Sequence, residues 1–242
     1  MNKSDLALLR PEDFTDRDVL VEDILAWFDA CDSYWYHSGD RADPHVVLTS
    51  GKHSNGFFDC LGVLENINLS EILASQLARK IRRIIGQEKI HWVIGSPMAG
   101  ITFAYATAKA LGAEKMFFTE KNPAGEGMLW RRRTIPEGAI VLQIEELITT
   151  AKTVNSVRQA VEIGNKYPVT WLPLIGVLVH RPDHLPLDFY GNFYGNRRVV
   201  PLVEKEVWAE FPDTCPLCAL GSECITEPKK RENWARLTKK NY

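Results

Sequence analysis

The stretch that decides the fold is Val141-Leu142-Gln143-Ile144-Glu145-Glu146-Leu147-Ile148-Thr149-Thr150-Ala151-Lys152-Thr153. An apolar run over 139–144 predicts a strand, and the pattern of 153–163, with Gly164 after it, predicts a helix. Two carboxylates at a strand's end are costly unless a cation or sugar hydroxyls lie near them. The hydroxyl-rich residues that follow can hold a phosphate with O–H and N–H groups. The pattern favours a sugar-phosphate site, and a capped helix after a strand is the alternative.

Strands and helices alternate on both sides of this stretch. Further strands are predicted at 91–95, 115–118 and 172–179, with helices at 69–85 and 101–111. Ser70 is the expected N-cap of the first of these helices, and Gly112 closes the second. The alternation predicts an α/β fold with a central parallel sheet flanked by helices. Ligands of such sheets bind at the carboxyl ends of the strands.

The composition excludes several classes of protein. The 242 residues are 45% hydrophobic and 25% charged, which excludes a disordered chain. A net charge of -2 gives no indication of a nucleic-acid partner, and no apolar run approaches a membrane span. The five cysteines are an odd number and no signal peptide precedes them, so we expect a reducing cytoplasm.

Two more segments follow strands at the expected ligand edge. The small-residue turn at 95–100 opens a helix, where free N–H groups can bind a phosphate, although a plain tight turn explains it equally well. The segment 118–133 carries Lys121 near its start and Arg131-Arg132-Arg133 near its end. It predicts a mobile lid whose cations suit a pyrophosphate leaving group, with a solvated basic loop as the alternative.

These features meet in one resemblance. From about His45 to the Cys215 region the chain resembles the type I phosphoribosyltransferases, and the orotate enzymes most closely. The resemblance lies in the strand and phosphate loop at 141–153, the turn and helix at 93–112, and the lid start at 118–121. It also lies in the segment 45–54, Phe57-Phe58, His180-Arg181 and Cys215-Pro216-Leu217-Cys218.

The resemblance implies a type I phosphoribosyltransferase fold with a small N-terminal hood. It divides the chain into a hood at 1–64, a core at 65–203 and a C-terminal tail at 204–242, packed beside the hood. It implies a homodimeric transferase of pyrimidine biosynthesis. Such an enzyme joins orotate to 5-phosphoribosyl 1-diphosphate (PRPP), bound with Mg²⁺, and releases pyrophosphate and orotidine 5′-monophosphate.

The resemblance also implies roles for individual residues. The catalytic residues would be Lys121, Glu145 and Glu146. PRPP would be bound by Ser96, Pro97, Met98, Ala99, Gly100, Thr149, Thr150, Ala151, Lys152 and Thr153. Orotate would be bound by Lys52, Phe57, Phe58, Thr149 and Arg181. No side chain is assigned to Mg²⁺, which PRPP would carry.

Four positions depart from the family pattern. Glu146 and His180 stand where Asp is usual, Ala151 where Gly is common, and Gln143 in a strand that is normally apolar. If position 151 needs a positive φ, alanine costs about 1 kcal/mol or more there. Two alternatives therefore stay open: a protein of this fold that binds PRPP or a nucleotide with weakened or lost catalysis, and a transferase for another base.

The cysteines near the C-terminus leave a further question. Cys215 and Cys218 have the spacing of half a zinc site, with Cys224 nearby, but the sequence indicates no fourth ligand. His37, His45 and His53 are not expected to bind metal. Reduced cysteines that pack a tail are the favoured interpretation.

The charges of the two ends are opposite. The first 40 residues are acidic and the last 15 are basic. The two ends could attract each other, and two solvated faces are the favoured alternative.

Overall fold

The computed structural model describes residues 3–182, 189–191 and 195–240. The helices are α1 Lys3–Leu6, α2 Val21–Ala30, α3 Cys60–Leu64, α4 Ile67–Ile85, α5 Ala99–Leu111, α6 Lys152–Gly164, α7 Pro216–Ala219 and α8 Arg231–Thr238. The strands are β1 Tyr34–Tyr36, β2 His45–Val47, β3 His53–Ser54, β4 Gly56–Phe58, β5 Trp92–Gly95, β6 Lys115–Phe118, β7 Glu120–Lys121, β8 Met128–Leu129, β9 Ile140–Ile148, β10 Thr170–His180, β11 Phe189–Gly191, β12 Gly195–Glu204, β13 Ala209–Glu210 and β14 Cys224–Ile225.

The central sheet has the strand order β11-β12-β10-β9-β5-β6. The five strands from β12 to β6 are parallel, and β11 adds an antiparallel edge. This sheet, with helices on its faces, confirms the predicted α/β fold. Parallel strands need crossover connections, and the predicted helices supply them.

Side chains of β9 alternate between two apolar layers. Leu142 and Ile144 belong to the large cluster that α4 and α5 complete. Val141 packs instead with Val157 and Val161 of α6. This period of two is what a strand with helices on both faces requires, so both layers exclude water from the sheet.

Strand β9 is longer than predicted. The prediction ended it at Ile144, but its pairing with β10 continues to His180 opposite Ile148. Glu145 and Glu146 therefore lie inside the strand. The polar groups that make this burial tolerable come from Ser96 and Gln143, as described below.

The helix boundaries also differ in part. Helix α4 begins at Ile67 and its N-cap is Asn66, so the predicted cap Ser70 was wrong: it is a buried residue of the second turn. Gly112 does close α5, with φ +67. A left-handed residue after a helix is the conformation that glycine adopts without cost.

The hood is a four-stranded sheet with the order β13-β3-β2-β14. The N-terminal part of the chain supplies β2 and β3, and the C-terminal tail supplies β13 and β14. The tail was expected beside the hood, whereas its strands are part of the hood sheet. Backbone pairing over such a sequence separation is not visible in local periodicity.

Ion pairs join the acidic and the basic end of the same chain. Lys240 lies 2.9 Å from a carboxylate oxygen of Asp29 and 3.4 Å from one of Asp32. Attraction within one chain is therefore what the structure shows. Among the described residues no helix is long and apolar enough to cross a membrane.

Candidate active site

A cavity of about 900 Å³ lies between the hood and the carboxyl ends of the central strands. It brings together six of the predicted site residues and their neighbours. These predicted residues are Lys52, Phe57, Phe58, Thr149, Thr150 and Arg181, with the predicted motif residue Ser50 beside them. The tail also lines the cavity, through Thr226, Glu227, Pro228 and Lys229. No sequence pattern indicated those four, because only the pairing of β14 with β2 brings them there.

The turn at 149–151 enters α6 at the floor of this cavity. Thr149 and Thr150 are exposed, and α6 begins at Lys152. The first N–H groups of a helix have no partner within it and lie at the positive end of its dipole. An anion at this turn would meet both the amides and the threonine hydroxyls.

Ala151 adopts the left-handed conformation, with φ +58 and ψ +9. It is also buried against Ile148 and Val154. Position 151 therefore does need a positive φ, the conformation in which alanine costs more free energy than the glycine common in the family. Its burial keeps a methyl contact that glycine would lose.

Substitutions at position 151 test this strain. We expect Ala151→Val to lower the free energy of unfolding by about 1–2 kcal/mol or more, because a β-branched residue fits a positive φ poorly. Ala151→Gly should change it by less than about 1 kcal/mol, because two effects oppose each other. Relief of backbone strain stabilises the fold, whereas loss of the methyl contact and the larger conformational entropy of the unfolded chain destabilise it. Urea unfolding measures both. The control is Ala110→Val on the exposed side of α5, where only about 0.5 kcal/mol of helix propensity is lost. If Ala151→Val lowers the free energy of unfolding no more than Ala110→Val does, the prediction is contradicted.

The turn at 95–100 packs against β9 at close range. A Cβ on Gly95 would meet the Gly100 carbonyl oxygen at 2.7 Å. A Cβ on Gly100 would meet Ser96 Oγ at 2.7 Å and Glu146 Oε2 at 3.0 Å. Both positions therefore require glycine. Ala99 and Gly100 already belong to α5, and Met98 is largely exposed, so this turn also presents a helix N-terminus.

Glu145 is enclosed and does not line the cavity. Ser96 Oγ donates to its Oε2 at 2.5 Å, and Gln143 Nε2 donates to its Oε1 at 2.8 Å. Burial raises the pKa of Glu145 to about 8, against the lowering effect of the Ser96 hydrogen bond. Arg158, itself buried, donates to Gln143 Oε1 at 3.1 Å. The unusual Gln143 thus links a buried arginine to the carboxyl group.

The raised pKa of Glu145 predicts a pH-dependent stability. The folded chain keeps this proton up to about pH 8, whereas the unfolded chain loses it near the ordinary value of 4.5. The unfolded state therefore binds fewer protons between these values, and stability falls as pH rises from about 5 to 8. We expect Glu145→Gln to flatten this slope and to raise stability at pH 8 by up to a few kcal/mol, since a neutral amide replaces the group.

Thermal unfolding between pH 5 and pH 8 measures this slope. Glu137→Gln removes an exposed carboxylate and serves as the matched control. Equal slopes in Glu145→Gln and in the unmodified chain would contradict the assignment.

Glu146 is not among the residues that line the cavity either, but its carboxyl group has a different environment. Burial raises the pKa of its carboxyl group. Its Oε2 is buried and has no hydrogen-bond partner within the described part of the chain. A buried acceptor without a donor costs free energy, so this oxygen suits a ligand hydroxyl or a cation.

The base side of the cavity combines two cations with two phenylalanines. Phe58 packs on Tyr34 with ring centroids 4.8 Å apart, and Phe57 meets Trp234 edge-on at 5.9 Å. Lys52 Nζ donates to the Ala209 carbonyl at 3.2 Å. Arg181 follows β10, and its amide donates to the Ile148 carbonyl at 2.9 Å. These contacts place flat apolar surface and positive charge on one wall.

His180 occupies a position where Asp is usual in the family. It is buried, and its Nδ1 lies 2.8 Å from Glu204 Oε1. The pair joins β10 to β12 beside Arg181. His180 therefore packs behind the cavity and is not one of the residues that line it.

The predicted lid forms a short hairpin of β7 and β8. Lys121 is exposed on it and does not line the cavity. Arg132 pairs with Glu120 at 2.7 Å, and Arg133 lies over the Phe117 ring at 5.2 Å. Lys152, at the start of α6, reaches Glu126 of the hairpin at 3.2 Å. Arg132 and Arg133 thus hold the hairpin's base, whereas Lys121 and Arg131 are exposed.

Comparison with known proteins gives the family. No protein-family model matches the chain. An orotate phosphoribosyltransferase of Pelotomaculum thermopropionicum is 34% identical over 188 residues, which cover 78% of this chain and 90% of that relative. One of Desulforamulus reducens is 31% identical over 196 residues, 81% and 93% of the two chains. The crystal structure of orotate phosphoribosyltransferase from Aeropyrum pernix matches with a TM-score of 0.54 at 18% identity, over 77% of this chain and 93% of that one, and so shares the fold. The chain belongs to the orotate phosphoribosyltransferase family.

Proposed function

We propose that this protein transfers ribose 5-phosphate from PRPP to orotate, giving orotidine 5′-monophosphate and pyrophosphate. The observation that carries the proposal is the 900 Å³ cavity, which Lys52, Phe57 and Arg181 line together with the threonine turn at the start of α6. A carboxylated flat base needs a cation and an apolar face. A sugar phosphate needs hydrogen-bond donors beside them. This cavity offers the cation, the apolar face and the hydrogen-bond donors.

PRPP would lie along the carboxyl edge of β9 and β5. The turn at 149–153 supplies hydroxyls, amides and the positive end of α6 for the 5-phosphate. The turn at 96–100 opens α5 in the same way and would face the pyrophosphate. Because β5 and β9 are parallel neighbours, the two helix N-termini lie at the same edge of the sheet.

Glu145 and Glu146 would have different roles. Glu146 has the unpartnered Oε2 and would accept hydrogen bonds from the ribose hydroxyls, so that the ring stays fixed as positive charge develops at C1. Glu145 would act as a positioning residue, because its hydrogen bond with Ser96 holds the pyrophosphate turn against β9.

Orotate would lie on the opposite wall. Arg181 would bind the carboxylate with two parallel N–H groups, a geometry that lysine cannot reproduce. Phe57 and Phe58 would pack the base, and Thr149 and Lys52 would hydrogen-bond its edge. A base without a carboxylate would not make this paired contact, which disfavours a transferase for another base.

Magnesium fits this arrangement. Mg²⁺ prefers oxygen ligands and is commonly held by one or two carboxylates together with substrate oxygens. Glu146 Oε2 is such a carboxylate oxygen, and PRPP would supply the others. When bound, Mg²⁺ would neutralise charge on the leaving pyrophosphate.

Lys121 would cover the pyrophosphate from the lid. In the described chain it is exposed on the hairpin and is not among the residues that line the cavity of its own chain. We therefore place it at the site of a second subunit, in a homodimer. All five cysteines are free, which agrees with a reducing cytoplasm.

The test is an assay of the purified chain with PRPP, Mg²⁺ and orotate. We expect loss of orotate absorbance to match the pyrophosphate released. Adenine and hypoxanthine, offered in place of orotate, should give no product. Product from either purine and none from orotate would show that the enzyme uses a purine base, and would contradict the proposal.

One observation favours the alternative, a protein that binds PRPP with little turnover. Glu145 is shut away from the cavity and bound on both oxygens. The double variant Glu146→Asp with Ala151→Gly restores residues that are usual in the family. If the double variant is much faster than the unmodified protein, the low-turnover alternative is supported. If the unmodified protein already has a high rate and the double variant does not change it, that alternative is excluded.

A further inference from the structure

A cluster of histidine and cysteine side chains lies on the hood, outside the cavity. His45 Nε2 is 3.1 Å from His53 Nδ1, and Cys218 Sγ is 3.1 Å from that same Nδ1. Cys215 Sγ and Cys218 Sγ lie 3.6 and 3.5 Å from His45 Nε2. The four donor atoms all lie within 4.8 Å of one another. Of these four residues, the sequence indicated only Cys215 and Cys218 as metal ligands.

These distances match tetrahedral zinc. Zn–S bonds of about 2.3 Å and Zn–N bonds of about 2.0–2.1 Å, at tetrahedral angles, separate the donor atoms by about 3.3–3.8 Å. The donor separations of 3.1–3.6 Å given above fall close to this range. Packing of a tail does not by itself require four such donor atoms to lie within 4.8 Å of one another.

The hydrogen bonds of His45 fix its ring for metal binding. Ser222 Oγ donates its only proton to the Asp43 carbonyl at 2.7 Å. It must then accept the hydrogen bond from His45 Nδ1, at 2.8 Å, so Nδ1 carries the ring proton. The lone pair of Nε2 therefore faces the two sulfurs and His53. A hydrogen bond to the remote ring nitrogen is typical of histidines that bind metal.

The backbone also supports the site. His45 and His53 lie on paired strands, and the two cysteines flank the start of α7. The Cys218 amide donates to Cys215 Sγ at 3.4 Å, a contact that stabilises thiolate. His45, His53 and Cys215 are buried, so no position is open for a substrate. Closed sites of this kind are structural.

We propose that His45 Nε2, His53 Nδ1, Cys215 Sγ and Cys218 Sγ bind a structural Zn²⁺. Binding replaces the two thiol protons, which pass to solvent, by two Zn–S bonds, so the site becomes neutral overall. Two thiolates and two imidazoles in a tetrahedron select zinc over the oxygen-seeking magnesium of the substrate.

Cys224 is the neighbour that the assignment leaves out. Its Sγ lies 3.5 Å from both Cys218 Sγ and His45 Nε2. It is exposed, and its Sγ is 3.7 Å from His53 Nδ1, farther than Cys218. Cys215 is buried where Cys224 is exposed, and its Sγ accepts the Cys218 amide, so the assignment takes Cys215 as the fourth ligand and Cys224 serves as the discriminating variant.

The zinc would fix a wall of the substrate cavity. The chain between His45 and His53 carries Leu48, Thr49, Ser50 and Lys52, all of which line the cavity. Both ends of this segment would be tied to the C-terminal tail through one ion. Metal loss should therefore loosen the base side of the cavity as well as the hood.

The first experiment measures zinc in the unmodified protein, purified in reducing buffer without a histidine tag. We expect about one zinc per chain. Removal by a chelator should lower the melting temperature, and added Zn²⁺ should restore it. Cobalt in place of zinc should give the visible absorption of tetrahedral cobalt thiolate. A metal-free protein that binds neither added ion would overturn the proposal in favour of packed, reduced cysteines.

The second experiment assigns the ligands. Cys215→Ser and Cys218→Ser should lower zinc content to a small fraction, whereas Cys224→Ser and the control Cys31→Ala should retain it. Loss in Cys224→Ser together with retention in His53→Gln would overturn the ligand set. Because the readouts are metal content and melting temperature, the result does not depend on orotate turnover. The cobalt spectrum of the unmodified protein decides the question even if a variant fails to fold.

Discussion

The variant Arg181→Lys is expected to raise the KM for orotate about 10- to 100-fold. A charge-assisted hydrogen bond contributes about 1.5–3 kcal/mol, and lysine keeps the charge but loses the paired N–H geometry. Arg181 lies at the end of β10, on the same wall as Phe57 and Phe58. The KM for PRPP should change little, because the threonine turn is intact. Steady-state kinetics with each substrate varied in turn measures both constants.

The matched control is Arg198→Lys. Arg198 is exposed on β12 opposite Leu174, near the amino half of β10 and away from the cavity. It should leave both KM values unchanged. Equal effects of Arg181→Lys on the two substrates would instead show that position 181 acts on the fold of the whole site, and would contradict carboxylate recognition.

The variant Lys121→Ala should lower kcat about 100- to 1000-fold. Charge on the leaving pyrophosphate grows in the transition state, and removal of one fixed donor to such a charge typically costs this factor. Arg132 is engaged by Glu120 and Arg133 by the Phe117 ring, so neither of these two replaces it. Product formation at saturating PRPP and orotate measures the loss.

Lys166→Ala is the control for charge. Lys166 is exposed between α6 and β10, at the amino ends of the strands and therefore at the edge opposite the cavity. It should keep the full rate. A fall in rate as large as that of Lys121→Ala would assign the effect to general electrostatics and remove Lys121 from catalysis.

Mixed dimers test where Lys121 acts. When Lys121→Ala chains are mixed with Glu146→Gln chains, a site with intact Glu146 can receive Lys121 from the other subunit. We expect part of the activity to return on mixing. If Lys121 acts within its own chain, every site carries a defect and the mixture stays as inactive as its parts.

The predicted and the observed β9 differ for a physical reason. The apolar run ends at Ile144, and carboxylates usually mark the end of a buried strand. Pairing with β10 continues, however, because Ser96 and Gln143 satisfy the Glu145 carboxyl group. Ser96 is 49 residues away in sequence. A local pattern cannot contain that compensation, so the boundary was misplaced.

The histidine and cysteine cluster shows the same limit. The spacing of Cys215 and Cys218 was readable, but His45 and His53 are more than 160 residues away from them. Their approach follows from the pairing of β2 with β14 and of β3 with β13. Strand pairing between the two ends of the chain is decided by the assembled hood and not by either segment.

The sequence by itself determined the fold class and the main landmarks of the site. Alternating strand and helix periodicity fixed the parallel sheet, and the motif at 141–153 placed the phosphate turn, because both depend on residues close in sequence. Only the tertiary structure decided that Glu145 is enclosed, that the tail completes the hood and the cavity, and that four distant donors meet on the hood. Burial, long-range hydrogen bonding and strand pairing between the chain ends depend on which segments come together in space, and that information is absent from any single segment.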